Sequence, residues 1–104
     1  MSMYMNQYQM KAQETAVYTK RMYPVASLMV EAAELADLFV KPLLRGDDVT
    51  IARADIVSEA GDCLWMLCAI LSDNDITLDE VAVTNLKKLE RRALYDTIKG
   101  SGNR

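Results

Sequence analysis

Apolar residues recurring at three- and four-residue steps, in four stretches separated by short polar breaks, predict an all-α protein built like a four-helix bundle. Two observations agree with this. No stretch alternates apolar and polar residues as a strand does, and a proline or a cluster of small polar residues stands at each break.

The first helix is expected over residues 4–22, where Tyr8, Ala12, Thr15, Ala16 and Tyr18 make a moderately amphipathic face. It should end ahead of Pro24, because a residue preceding proline is pushed out of the α region. The second covers residues 25–44, carrying Val25, Leu28, Met29, Ala32, Leu35, Ala36, Phe39 and Leu43 on one face. Its end is expected near Pro42, with Gly46-Asp47-Asp48 as the turn. The third runs from about Thr50 to Ser72, with Ile56, Val57, Ala60, Leu64, Leu67, Cys68 and Leu71 aligned. It is broken by Ser72-Asp73-Asn74-Asp75, whose side chains compete for backbone hydrogen bonds. Thr77-Leu78-Asp79-Glu80 has capping-box spacing, so the fourth helix should take Thr77 as N-cap and reach about Tyr95. Residues 96–104 then form a flexible tail of a single domain spanning 1–104.

Cys63–Leu71 is apolar on every side, more than four short helices can cover. A second copy of the chain is therefore expected, with Trp65, Met66 or Ile70 at the contact.

With 104 residues, fifteen acids against twelve bases and a net charge of −3, the chain has room for one small core and a field that repels nucleic acid. No run of apolar residues is long enough for a membrane span. Cys63 and Cys68 point about 140° apart on one helix and should stay unpaired. The N-terminus lacks a signal-peptide pattern, so a cytoplasmic protein is expected. Without histidine, zinc chemistry is nearly excluded, and the Glu-x-x-His pairs of a di-iron bundle cannot form.

The acids carry the chemistry. Glu31-x-x-Glu34 and Glu59-x-x-Asp62 each place two carboxylates one turn apart on a helix. Fifteen acids in 104 residues produce about two such pairs by chance, and this chain has three, counting Glu34-x-x-Asp37, so spacing alone does not make a site. Context does more. Both pairs lie within apolar runs, where unpaired acids are rare, whereas Asp37 and Asp55 read as solvated. Facing each other from two packed helices, Glu31, Glu34, Glu59 and Asp62 would repel unless a cation neutralised them, and an all-oxygen donor set favours Mg²⁺ or Mn²⁺. On the fourth helix Asn85, Lys88 and Arg92 form one stripe that can neutralise phosphate oxygens, while Lys87 and Arg91 face elsewhere. Tyr8, Tyr18 and Trp65 either wall a base pocket or pack in the core.

In order along the chain, Tyr8-Gln9, Ala12, Thr15-Ala16 and Tyr18, then Glu31, Glu34, Glu59 and Asp62 with 24 residues between the halves, then Leu64-Trp65, then Asn85, Lys88, Leu89 and Arg92, then the Gly100–Arg104 tail, resemble the MazG-like nucleotide pyrophosphohydrolases of the all-α NTP pyrophosphatase superfamily. The tail departs from the family pattern, with Asn103 and Arg104 where an acid is common. The resemblance implies Mg²⁺-dependent hydrolysis of a nucleoside triphosphate to monophosphate and pyrophosphate. It implies metal ligation by Glu31, Glu34, Glu59 and Asp62, a carboxylate base with Glu34 as candidate, phosphate binding by Asn85, Lys88 and Arg92, and a homodimer or homotetramer. The competing expectation is a non-enzymatic helical interaction module with solvated acids.

Overall fold

The computed structural model describes residues 3–99. Four helices follow one another: α1 (Met5–Gln13), α2 (Met22–Arg45), α3 (Arg53–Asp73) and α4 (Leu78–Lys99). The all-α expectation is met, and no strand occurs among the described residues.

The first helix is shorter than its periodicity suggests. It ends at Gln13, and residues 14–21 form a non-helical connection. Thr15, Val17 and Thr19 are β-branched and lose side-chain freedom in a helix, and the Thr15 hydroxyl donates to the Ala12 carbonyl at 2.7 Å, in competition with the backbone ladder. Pro24 does not end α1 but sits buried in the first turn of α2, where a missing N–H costs no helical bond. Pro42 is likewise inside α2. The helix stops three residues later at Arg45 and is capped by Gly46, whose φ of 77° is the left-handed conformation that glycine adopts without strain. The Gly46 and Asp47 N–H groups then close on the Leu43 and Pro42 carbonyls, at 3.0 and 2.9 Å.

Helix α2, with 24 residues, is about 36 Å long, while the connection 46–52 can span at most about 25 Å. The two helices, which make the largest packing contact in the chain, must therefore run antiparallel. Helix α1 lies on α3, and α4 is held mainly by α1.

That last attachment is polar. Gln9, buried in α1, donates from Nε2 to Ser72 Oγ at 3.0 Å and to the Ile76 carbonyl at 2.9 Å, and its Oε1 accepts from the Leu78 N–H at 2.7 Å. Asn6 Oδ1 accepts from the Asp79 N–H at 3.0 Å, and Thr77 Oγ1 from the Glu80 N–H at 3.2 Å. Thr77 thus caps α4 as its spacing predicts, and three successive donors that a helix N-terminus leaves orphaned each meet a side-chain oxygen. Replacing Gln9 by Ala strands several buried polar groups, and an expected loss of about 1–3 kcal/mol follows, measurable by urea denaturation. A loss near zero would show that water substitutes freely there.

The buried apolar set among the described residues is small: Ala12, Met66, Cys68, Ala69 and Leu78. Met66, expected at a subunit contact, is instead buried within its own chain, where α1 and α2 pack on α3. The uncovered apolar surface lies elsewhere. On α2, Val25, Met29, Phe39 and Leu43 are exposed, Met29 by 70% and Leu43 by 76%, and on α4 so are Leu86 and Leu94. The radius of gyration is 17.3 Å, against roughly 13 Å for a closed domain of this length. The four helices therefore do not enclose one common core within a single chain. Residues 96–99, expected in the tail, continue the α4 backbone, and 100–104 lie outside the described residues.

Candidate functional site

Antiparallel packing of α2 on α3 brings Glu31 and Glu34 of one helix against Glu59 of the other. One carboxylate oxygen from each lies within 4.8 Å of the other two. Glu31 and Glu59 are half-buried and Glu34 is exposed at the mouth. Glu31 Oε2 and Glu59 Oε2 are removed from solvent with no hydrogen-bond partner. Asp62 is not one of the three clustered acids. It is exposed at the flank, close enough for its charge to act on Glu31, Glu59, Cys63 and Tyr8.

The electrostatics follow from that geometry. Glu31 is raised above its ordinary pKa, first by loss of hydration, then by the charges of Glu34 and Asp62, a side-chain hydrogen bond with Glu34 and the charge of Glu59. Glu59 is raised for the same leading reasons: hydration loss, then Glu34 and Asp62. Negative oxygens held together and partly dehydrated are held by the fold at a cost that a bound cation removes. Two orphaned oxygens aimed into an all-oxygen site fit a hard divalent ion such as Mg²⁺ or Mn²⁺.

The sign of the pH effect is determined by these shifts. With folded-state pKa values above the unfolded ones, the native chain binds more protons than the unfolded chain in the interval above the ordinary 4.5. Stability of the metal-free protein should therefore fall as pH rises through the folded-state values toward neutrality. Melting scans from pH 5 to 7.5 in chelator check this, and a flat profile would mean that the acids do not interact.

Cys63 and Cys68 are free, as expected. Burial and the neighbouring acids push the Cys63 thiol up, and burial pushes Cys68 up, which leaves both as unreactive thiols. Asp37 is a surface acid paired with Lys41 at 3.5 Å.

The aromatic candidates have structural partners. Tyr18 donates to Asp73 Oδ2 at 2.9 Å, stacks on Tyr23 and meets the Trp65 ring edge-on, while Trp65 Nε1 donates to Thr15 Oγ1 at 2.9 Å. Together these contacts tie the 14–21 connection to α3. Asn85, Lys88 and Arg92 are exposed on α4. Among the described residues, no hydrogen bond or ion pair joins them to the acids of α2 and α3, and the chain does not gather the two halves of the expected site. A groove of about 630 Å³ between α1 and the α3–α4 turn, lined by residues such as Met10, Gln13 and Ile76, contains none of the clustered acids. No described helix is long and apolar enough to cross a membrane.

Residues 23–95, which contain the acid cluster and the Asn85–Arg92 stripe, match the sequence pattern of the MazG nucleotide pyrophosphohydrolase domain. The chain is also 33% identical over 113 residues to the Gene 37 protein of Mycobacterium phage L5, with 97% of this chain and 98% of that protein covered. No solved structure matches. With the clustered glutamates inside the matched segment, the chain belongs to the MazG nucleotide pyrophosphohydrolase domain family.

Proposed function

We propose that the protein is a Mg²⁺-dependent pyrophosphohydrolase that converts a nucleoside or deoxynucleoside triphosphate to the monophosphate and pyrophosphate, with Mn²⁺ able to substitute. The observation that carries this reading is the trio of Glu31, Glu34 and Glu59, with two buried, unpartnered oxygens, in a chain of this family.

Glu31, Glu34 and Glu59 hold the ion together with Asp62, which stands at the flank of the cluster. When bound, Mg²⁺ supplies charge neutralisation to the triphosphate oxygens. Glu34, the exposed member, is the candidate base that takes the proton from water attacking the α-phosphorus. Asn85 positions the phosphates, and Lys88 and Arg92 stabilise the charge that develops on the departing pyrophosphate. The chain acts as one domain, as a homodimer or homotetramer, in the cytoplasm, in keeping with its two free cysteines and a role in clearing the nucleotide pool. It uses no nucleic acid or membrane partner.

The test is incubation of the purified protein with each NTP and dNTP and Mg²⁺, with products resolved by ion-exchange chromatography. Monophosphate and intact pyrophosphate are expected. Release of diphosphate and orthophosphate would place attack at the γ-phosphorus, and no turnover of any triphosphate would favour the non-enzymatic interaction module.

A further inference from the structure

We infer that Gln9 is a positioning residue for the cations of α4: its carboxamide fixes the angle at which α4 leaves the end of α3, and with it the place where Lys88 and Arg92 present their charges. The reaction it serves rests on the pyrophosphohydrolase reading, whereas its control of the helix direction does not.

Three observations carry the inference. First, Gln9 is the one buried polar residue among the described residues, 7% exposed, and its amide joins three successive pieces of backbone. Nε2 donates to Ser72 Oγ in the last turn of α3 at 3.0 Å and to the Ile76 carbonyl in the connection at 2.9 Å, and Oε1 accepts at 2.7 Å from the N–H of Leu78, the first residue of α4. A planar amide offers its two donors and its acceptor in fixed directions. The end of α3, the turn and the start of α4 therefore satisfy it together in one arrangement.

Second, α4 is held at its base. Between Leu78 and Arg92 the buried or half-buried residues are Leu78, Val81 and Ala82, all in the first turns, and every residue from Val83 to Arg92 is exposed. The helix packs mainly on α1, which also carries the Asn6 cap on the Asp79 N–H. Held this way, α4 is a lever. Lys88 and Arg92 stand about 15 and 21 Å along the axis from Leu78, so a tilt of about 10° at the base carries Arg92 roughly 4 Å sideways. A displacement of about 1 Å is enough to cost on the order of a hundredfold in rate.

Third, the same contact sets the roll of the helix. At 100° per residue Asn85, Lys88 and Arg92 fall in the sector of Leu78 and Val81, whereas Lys87 and Arg91 lie opposite. Leu78, buried on that sector, is the residue whose N–H Gln9 accepts, so the bond that orients the axis also fixes which side of α4 the body of the chain holds.

The experiment compares full-length wild type with Gln9→Met, which keeps the length and bulk of the side chain but removes its donor and acceptor. Asn6→Ala, at an exposed position, weakens the same anchorage and keeps the comparison available should Gln9→Met not fold. Activity is measured where circular dichroism and urea denaturation show each variant folded. Gln9→Met should lower kcat/KM about 10- to 100-fold, while Mg²⁺ raises its melting temperature as much as that of wild type, because the acid cluster is untouched. In an Arg92→Ala background the same substitution should cost at least about threefold less, since one of the groups it misplaces is already gone. Equal losses in both backgrounds, or a diminished response to Mg²⁺, would mark a general loosening and overturn the inference. Backbone N–H residual dipolar couplings read helix directions without turnover. Those of α4 should shrink or change relative to α2 and α3 in Gln9→Met, and couplings identical to wild type would equally overturn it. If the wild type hydrolyses no triphosphate, the proposed activity fails, and the couplings alone decide whether Gln9 aims α4.

Discussion

Glu59→Gln is expected to raise the melting temperature of the metal-free protein while removing most of its stabilisation by Mg²⁺ and about a hundredfold or more of its turnover. The opposite signs come from one cause. The carboxylates of Glu31, Glu34 and Glu59 converge with little hydration, and an amide at position 59 relieves repulsion and can donate to its neighbours. The same change deletes a charged ligand. Binding that favours only the folded state contributes about 2.7 kcal/mol at a hundred times Kd, which for a chain this short amounts to roughly 10 °C or more. Melting curves of wild type and variant, each with chelator and with millimolar Mg²⁺, check the stability arm, and steady-state assays the other. If wild type and Glu59→Gln respond alike to Mg²⁺, the cluster is not the metal site.

The second large effect concerns the cations of α4. Lys88→Ala and Arg92→Ala should each lower kcat/KM by roughly 10- to 1000-fold, the range for loss of one electrostatic stabiliser of a developing oxyanion. Lys87→Ala should change it far less. Lys87 lies on the opposite side of α4, in a shallow depression it shares with Glu90, Arg91 and Leu94. Comparable losses at Lys87 and Lys88 would show that only diffuse surface charge acts on the substrate. The pair also separates positioning from general attraction, because all three substitutions remove one positive charge from the same helix.

Much of the local structure was legible in the residues themselves. The Thr77–Glu80 spacing is realised as a side-chain cap, Gly46 ends α2, and the Glu31, Glu34 and Glu59 carboxylates meet across two helices. Periodicity misled at α1, where the Tyr18 register looks helical. That register serves instead to reach Asp73, Tyr23 and Trp65 from a non-helical connection. Gln9 and Asn6 gave a weaker signal, as polar residues on a helix whose ends are otherwise unremarkable. Their partners are more than sixty positions away, beyond the reach of any local pattern.

The all-α class, the turns that follow α2 and precede α4, and the convergence of three acids depend on interactions over a few residues or between two helices joined by a short connection, and the amino-acid order alone determined them. Long-range geometry decided the rest. Asp62 lies at the flank of the cluster because the antiparallel pairing sets which acids of α3 face α2, and Met66 is buried because α1 and α2 cover that part of α3. The direction of α4 was also a tertiary decision. An apolar stripe shows that a helix must be covered, but it does not show by what. Here the Leu78, Asp79 and Glu80 N–H groups at the start of α4 are held by Gln9 and Asn6 of α1 and by Thr77, and among the described residues no hydrogen bond or ion pair joins Asn85, Lys88 or Arg92 to the acids of α2 and α3.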